Sequence, residues 1–314
     1  MPIFRIHHIT KYEYDRNVKE SINEIKIFPF SCNEQETLQH DLIITGQPDM
    51  HIYHDYWGNK IGIFNLLAAH KELVIESKLV VRTIPPQQER TEIPSDWQEL
   101  RKEVSGSLKL IELASAKAVS SQSKIDKIAR SILDKKKDVA ETVGLCNEYI
   151  YNNFEYIKGI TNIETTVDEI LDKGAGVCQD FAHVMLQILR TMKIPSRYVS
   201  GYICPNKNGM RGEGATHAWV EVWLPDQEWV GVDPTNNIWV TNSHIKLAVG
   251  RNFNDCTPIK GAFKGPAREK LSVYVSIGYE DGQVFNESND VKMVPQENLP
   301  KEEILDESFA SQQQ

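Results

Sequence analysis

Three short segments of the chain contain the side chains best suited to nucleophilic chemistry. They place Cys178, His217 and Asp233 in that order along the sequence. A thiol attacks as its thiolate, which is favoured at a helix N-terminus and beside an imidazolium. An aspartate can in turn orient the imidazole. The three residues therefore predict covalent catalysis by an activated cysteine. The segments are Gly174-Ala-Gly-Val-Cys-Gln-Asp-Phe-Ala-His183, Thr216-His-Ala-Trp219 and Asp233-Pro-Thr-Asn236.

Cys178 lies where a turn containing Gly174 and Gly176 enters a predicted helix. The glycines allow a sharp turn and a close approach of substrate to the backbone. The start of the helix supplies unpaired N–H groups and a positive dipole end, which stabilise both a thiolate and an oxyanion. A buried structural role is the alternative for any single cysteine. We expect that role for three others: Cys32, Cys146 and Cys256.

The register of two predicted strands decides whether His217 and Asp233 can meet. If Trp223 lies opposite Trp229 in a hairpin, His217 is diagonal to Asp233 on the same face of the sheet. A shift of one residue would put them on opposite faces. The alternatives are a strand histidine satisfied within a sheet and a turn aspartate before Pro234. The predicted pairing of His217 with Asp233 therefore depends on the strand register, which a structure can test.

The chain predicts an α+β protein. Alternating apolar residues indicate an N-terminal antiparallel β domain at residues 1–90, and the proline-rich segment 84–94 marks its end. A core follows at 91–283, in which helices pack on an antiparallel sheet, and we expect a disordered polar tail at 284–314. A Gly-Asn pair predicts a hairpin at 56–60. In the core we predict helices at 124–133, 143–151, 166–174 and 178–193, and strands at 197–203, 217–224, 229–233 and 271–277.

Composition limits the classes of partner. The chain has 314 residues, of which 40% are hydrophobic and 25% charged, as in ordinary soluble proteins. The net charge of -9 argues against nucleic acid or an anionic membrane as the main partner. No window approaches the length of a membrane span, and the N-terminus lacks the apolar core of a signal peptide. We therefore expect a cytoplasmic protein whose main partner is neither nucleic acid nor a membrane.

No pattern indicates a cofactor or a metal. The five cysteines include no C-x-x-C pair, and the nine histidines show no ligand spacing. The glycines of Gly209-x-x-Gly212-x-Gly214 lack the strand-to-helix setting of a phosphate-binding loop. We interpret this segment as a mobile loop beside His217 that could gate the site.

The three motifs together resemble the signature segments of the transglutaminase-like superfamily. The chain also resembles the bacterial transglutaminase-like cysteine peptidases with an N-terminal β domain. That second likeness rests on looser motifs in the front part of the chain, and the resemblance extends over residues 3–280. These motifs are His8-x-Thr10-x-Tyr12-x-Tyr14, Pro29 and Asp55-x-x-Gly58-Asn59.

The resemblance implies a papain-like core and a thiol mechanism. It makes Cys178 the nucleophile, His217 the general base and acid, and Asp233 the residue that orients the imidazole. Attack on an amide would give a thioester, and the Cys178 N–H would be one oxyanion donor. Tyr156 and Asn153 are candidates for the second donor, although a structural role is the preferred interpretation of both. The leading hypothesis is a hydrolase of amide or peptide bonds; the alternatives are a transglutaminase and a non-catalytic scaffold.

Other residues of the motifs have simpler interpretations. We expect Asp180 to cap or pair within the first turn of its helix. Glu221 need not touch substrate. Trp219 and Trp223 could line a cleft, but aromatic residues on a strand face more often form core. His183 lies five residues after the cysteine on the same helix, so it points away from the site.

Overall fold

A computed structural model describes residues 1–85, 95–204, 210–212, 215–279, 284–289 and 309–313. Most of the predicted proline-rich boundary lies outside these residues. The first part of the chain forms strands, as predicted, and inward side chains such as Phe4, Ile6 and Tyr12 are buried along the first of them. The strands are β1 (Ile3–Val18), β2 (Glu20–Ile25), β3 (Gln35–Ile44), β4 (Met50–His54), β5 (Lys60–Leu66) and β6 (His70–Thr83).

These strands belong to two five-stranded sheets that also contain strands from the end of the chain. The sheet orders are β16-β15-β1-β6-β3 and β17-β14-β2-β5-β4. The later strands are β14 (Ile259–Lys264), β15 (Glu269–Tyr279), β16 (Val284–Asn289) and β17 (Phe309–Gln313). The antiparallel ladder between β1 and β15 runs from Phe4↔Tyr279 to Tyr14↔Glu269.

This pairing corrects two of our sequence assignments. Residues 259–279, which we assigned to the core at 91–283, complete the N-terminal sheets. Two parts of the expected disordered tail at 284–314 are strands β16 and β17. An alternating pattern shows that a segment is half-buried, but it does not show which sheet the segment joins. Partners so far apart in sequence therefore cannot be read from one chain.

Seven helices lie in the described part of the chain: α1 (Trp97–Ser105), α2 (Leu108–Leu113), α3 (Gln122–Leu133), α4 (Val139–Asn153), α5 (Val167–Lys173), α6 (Cys178–Thr191) and α7 (Phe253–Cys256). Reciprocal capping boxes begin α4, through Asp138 and Glu141, and α5, through Thr166 and Glu169. Gly174 ends α5 with a φ of 61°, as its position predicted. None of the helices described is both long and apolar enough to cross a membrane.

The core sheet is antiparallel and has the strand order β12-β11-β10-β9-β13. Helix α6 packs on the face that presents Ala218, Val220 and Val222. The other face is covered by the N-terminal domain, where Val199 and Trp219 share a small core with Trp57. Both faces are thus buried, which explains why every residue of β9 is buried. The strands are β9 (Ser196–Ile203), β10 (Thr216–Leu224), β11 (Glu228–Asp233), β12 (Ile238–Trp239) and β13 (His244–Gly250).

Two side-chain amides join the N-terminal domain to the open edge of β13. The Asn59 amide donates to Val249 O (2.7 Å) and accepts from Val249 N (2.8 Å). The Gln35 amide donates to Lys246 O (2.8 Å) and accepts from Lys246 N (2.9 Å). Asn59 belongs to the predicted hairpin turn, where Gly58 has a φ of 87°. Each amide therefore bonds backbone groups at the edge of the sheet, where Lys246 O also accepts from Phe30 N (2.9 Å).

Replacing Asn59 with alanine should destabilise the protein. Asn59 is fully buried, so the change leaves the Val249 N–H and C=O without partners. We expect a loss of about 2 to 4 kcal/mol in the free energy of unfolding, seen as a lower urea midpoint. Asn65→Ala is the control because Asn65 is exposed on the adjoining strand. Equal midpoints for the two variants would show that the amide contributes little to domain contact.

Candidate active site

Cys178 is the first residue of α6 and is half-buried. A short parallel ladder precedes it, in which β7 (Glu155–Tyr156) pairs with β8 (Ala175–Gly176). Asp180 accepts hydrogen bonds from Val177 N (2.7 Å) and Thr161 Oγ1 (2.6 Å), so it pairs locally, as predicted. A Cβ on Gly176 would lie 2.5 Å from Asp180 Oδ2, so only glycine fits there. These contacts fix the backbone on which the thiol is presented.

The predicted register between β10 and β11 is confirmed. Trp223 lies opposite Trp229, and the ladder continues to Val220 opposite Val232. His217 and Asp233 consequently share a face, and His217 Nε2 is 2.9 Å from Asp233 Oδ2. Both side chains are completely buried. The structure therefore has the strand register that the pairing of His217 with Asp233 requires.

Four donors surround the Asp233 carboxylate. Thr235 N donates to Oδ1 (2.9 Å), whereas Asn236 Nδ2 (2.7 Å) and His217 Nε2 (2.9 Å) donate to Oδ2. The fourth is His244 Nε2, at 3.3 Å from Oδ2. Burial alone would raise the pKa of Asp233, but the charges and hydrogen bonds of His217 and His244 hold it well below its usual range. Asp233 is therefore an anion at neutral pH.

The electrostatic setting of His217 follows from that anion. Burial lowers the pKa of His217, but the charge and hydrogen bond of Asp233, together with the interaction of the ring with Cys178, raise it to about 10. Because Nε2 is engaged by Asp233, Nδ1 is the nitrogen left to face the thiol. Such a ring can hold a proton beside a thiolate and still exchange it with a reacting group.

The sequence of the chain matches two models of known protein families. One family model, the transglutaminase-like superfamily, matches residues 126–234, and another, the bacterial transglutaminase-like N-terminal region, matches residues 4–82. An uncharacterized protein of Mycobacterium leprae is 31% identical over 281 residues, which cover 87% of this chain and 97% of that protein. The chain belongs to the transglutaminase-like superfamily. The resemblance seen in the sequence is thereby confirmed.

Two other proteins extend the comparison. A solved structure described as a candidate cysteine protease from Cytophaga hutchinsonii has a TM-score of 0.69 at 21% identity and covers 100% of this chain and 98% of its own. It shares the α+β fold with a papain-like core that we predicted. A protein-glutamine gamma-glutamyltransferase of Pseudomonas aeruginosa is 36% identical over 83 residues, or 25% of this chain and 12% of that protein.

In this transglutaminase-like chain a short loop segment packs over the histidine. Gly212 has a φ of 74°, and a Cβ there would lie 3.4 Å from His217 Nδ1 and 3.5 Å from the Tyr156 hydroxyl. Asn236 holds the segment, since its Oδ1 accepts from Arg211 N (2.7 Å) while its Nδ2 donates to Asp233. The predicted mobile loop includes Gly209 and Gly214, which lie outside the described residues.

The two candidates for the second oxyanion donor occupy different surroundings. The Tyr156 ring packs against Phe181, and its hydroxyl lies near Gly212, as His217 does. The Asn153 side chain is exposed, and its amide donates to Tyr149 O (2.7 Å) within its own helix. The transglutaminase-like core thus brings Tyr156, and not Asn153, to the site.

Three residues in or near the motifs of the transglutaminase-like core pack against other parts of the structure. Trp219 is buried against His217 and His244, and Trp223 packs on Trp229. His183 Nε2 accepts from Phe253 N (3.3 Å), and burial lowers the pKa of His183 to about 4. It lies apart from the site, as its helical position indicated.

Glu221 forms a buried ion cluster with Arg197 and Lys246. Arg197 Nε donates to Glu221 Oε2 (2.7 Å), and Lys246 Nζ binds the other oxygen. Burial would raise the pKa of Glu221, but the two cations lower it to about 2. The cluster joins three neighbouring strands of the transglutaminase-like sheet, and it gives Glu221 a structural role in the motif.

His244 is the site residue that sequence reasoning missed. It begins β13, which pairs with β9, and this strand neighbour could not be inferred from spacing. Among the described residues, His217, Asp233 and His244 place one potential metal-ligating atom each within 4.8 Å of one another. We predicted no metal from the ligand spacing of the sequence. These donor types suit Zn²⁺, but binding would divert Asp233 from its hydrogen bond to His217.

Proposed function

We propose that this protein is a thiol-dependent hydrolase that cleaves an amide or peptide bond through Cys178, His217 and Asp233. The observation that carries the proposal is the buried hydrogen bond of 2.9 Å between His217 Nε2 and Asp233 Oδ2, with the ring turned toward the cysteine that begins α6. A histidine or an aspartate with a purely structural role would not need to lie beside the other two residues of the set Cys178, His217 and Asp233.

The reaction begins with Cys178 as a thiolate and His217 as an imidazolium. The sulfur attacks the carbonyl carbon, and the oxyanion receives hydrogen bonds from the Cys178 N–H and the Tyr156 hydroxyl. His217 then gives its proton to the leaving amine as the C–N bond breaks, which leaves a thioester. Neutral His217 next takes a proton from water, whose oxygen attacks the thioester. Release of the carboxylic acid restores the thiolate and the imidazolium.

A transglutaminase is the second candidate, because an amine can replace water in the last step. The name of the Pseudomonas aeruginosa relative favours it, although the match covers 25% of this chain. A non-catalytic scaffold is the third candidate. The buried negative charge of Asp233 argues against it, since a scaffold gains nothing from a fully buried aspartate–histidine pair next to a cysteine that begins a helix.

The net charge of the chain is compatible with a peptide or protein as the substrate. A net charge of -9 disfavours nucleic acid and anionic membranes as partners. The cysteines of the described structure are all free, and three of them are buried. We therefore propose that the protein works in the reducing cytoplasm.

The experiment that tests this proposal compares hydrolysis with amine transfer. A peptide library is incubated with the protein in water enriched in ¹⁸O, with and without a labelled primary amine, and the products are analysed by mass spectrometry. We expect new C-termini that carry ¹⁸O in both incubations. Amine incorporation at glutamine without cleavage would replace the hydrolase by the transglutaminase. Absence of both products, and of any acyl group attached to Cys178 as a thioester, would favour the scaffold.

A further inference from the structure

We propose that His244 is a positioning residue that holds the Asp233 carboxylate in the orientation required by His217. The inference rests on the proposed function and goes beyond its three reacting residues. His244 Nε2 lies 3.3 Å from Asp233 Oδ2, the same oxygen that binds His217, and both side chains are completely buried. The two histidines are therefore joined through one carboxylate oxygen.

The direction of this hydrogen bond defines the tautomer of His244. An ionised carboxylate only accepts, so the proton must be on His244 Nε2. Burial, aided by the charge of His217, lowers the pKa of His244 in spite of the opposing effects of Asp233 and the Thr241 carbonyl. His244 is thus neutral when His217 is charged. A neutral donor fixes the anion without competing with His217 for the role of cation.

The place of His244 in the fold separates it from the other donors to Asp233. Thr235 and Asn236 belong to the turn that follows Asp233, so they move with it. His244 comes from β13, at the opposite edge of the core sheet. It also packs edge-on against Trp219, with ring centroids 5.2 Å apart. His244 therefore fixes the carboxylate relative to the sheet, and a small displacement of such a group is costly for catalysis.

The N-terminal domain contributes to this support. A cavity of about 40 Å³ lies beside His244, between the core sheet and the first domain. Its charged lining includes Lys246 and Glu221, which are paired with each other, and Glu34 from the first domain. Gln35 lines the same cavity and is hydrogen-bonded to the backbone of β13. The strand that carries His244 is thus held by the N-terminal domain.

The test compares two amide replacements. The amide nitrogen of glutamine reaches the position of Nε2, whereas that of asparagine falls near Nδ1. We expect His244→Asn to lower kcat/KM about 100-fold, mainly through kcat, and His244→Gln to recover most of that loss. His183→Gln is the control for a buried histidine that does not contact Asp233. It should change the unfolding temperature without this kinetic pattern.

A readout that needs no substrate keeps the inference separate from the proposed function. The rate of Cys178 alkylation by iodoacetamide is measured against pH. In His244→Asn the upper limb of the profile, where the imidazolium beside the thiolate loses its proton, should move down by about one pH unit, because a misplaced Asp233 stabilises the imidazolium less. If the wild type lacks this limb, the proposed function and the inference both fail. If the wild type shows it and both His244 variants leave it in place, this inference alone is overturned.

A measurement on the wild type covers the case in which His244→Asn fails to fold. Long-range ¹H–¹⁵N spectra of protein labelled in histidine report the tautomer and charge of each ring. At pH 7 we expect His244 to be neutral with its proton on Nε2. A proton on Nδ1 alone, or a cationic ring, would contradict the proposal. The spectra are recorded with a chelator so that no metal occupies the cluster.

Discussion

Replacing Cys178 with serine should lower the turnover of any amide or peptide substrate by a factor of about 10⁴ or more. In the proposed mechanism Cys178 is activated by transfer of its proton to His217, and a serine hydroxyl is too weakly acidic for that transfer. The fold should not change, since Cys178 is half-buried and differs from serine by one atom. The initial rate of peptide cleavage measures the effect, with thermal unfolding as the check on structure.

Cys32→Ser provides the matched control. Cys32 is the other cysteine of the described structure that is not fully buried, and burial raises its pKa to about 11. It should therefore stay protonated at pH 7, react slowly with iodoacetamide, and be replaceable without loss of turnover. If the two variants were equally active, covalent catalysis by Cys178 would be excluded.

Replacing Asp233 with asparagine should lower kcat by a factor of about 10³ to 10⁴. The amide keeps the size of the side chain but loses the negative charge that raises the pKa of His217 to about 10. Burial then dominates, so the pKa of His217 falls below its ordinary value of about 6.5. The imidazolium needed beside the thiolate is lost at neutral pH, and the amide can also hold the wrong tautomer.

The same substitution should change how stability depends on pH. In the wild type, the raised pKa of His217 contributes stability that is fully present below about pH 6.5 and is lost as the pH rises toward 10. Asp233, whose pKa is lowered, contributes the matching stability above about pH 4, which is lost at lower pH. Urea midpoints between pH 6 and 10 should therefore fall more in the wild type than in Asp233→Asn.

Asp172→Asn is the control for the removal of one negative charge, because Asp172 is exposed and pairs only at the surface with Lys124. It should leave both kcat and the pH dependence of the midpoint close to those of the wild type. An Asp233→Asn variant that behaved in the same way would remove Asp233 from the proposed mechanism.

The sequence was sufficient for the local parts of the site. The turn at Gly174, the helix that begins at Cys178 and the pairing of Trp223 with Trp229 all depend on neighbouring residues, and the structure agrees with them. Because side chains alternate between the two faces of a strand, this register places His217 and Asp233 on the same face. The family resemblance assigned roles to these residues, which remain predictions until the variants are measured.

Features that depend on distant strands could not be predicted. His244 reaches Asp233 only because β13 lies beside β9, and nothing in the spacing of the two residues indicates this. Likewise, residues 259–279 alternate as any half-buried strand does, and their partners β1 and β2 lie at the other end of the chain. The polar composition after residue 284 favoured disorder, whereas backbone pairing with an existing edge forms β16 there.

The return of β14 and β15 to the first sheets makes the core an insertion between two parts of one β domain. During synthesis, β1 and β2 each lack a flanking partner until residues 259–279 have left the ribosome. The core is enclosed between these strands in sequence, so a cut at residue 90 would separate β14 and β15 from their partners β2 and β1. We therefore expect that neither piece can be produced as an independent folding unit, and that the site is assembled only after nearly the whole chain has been made.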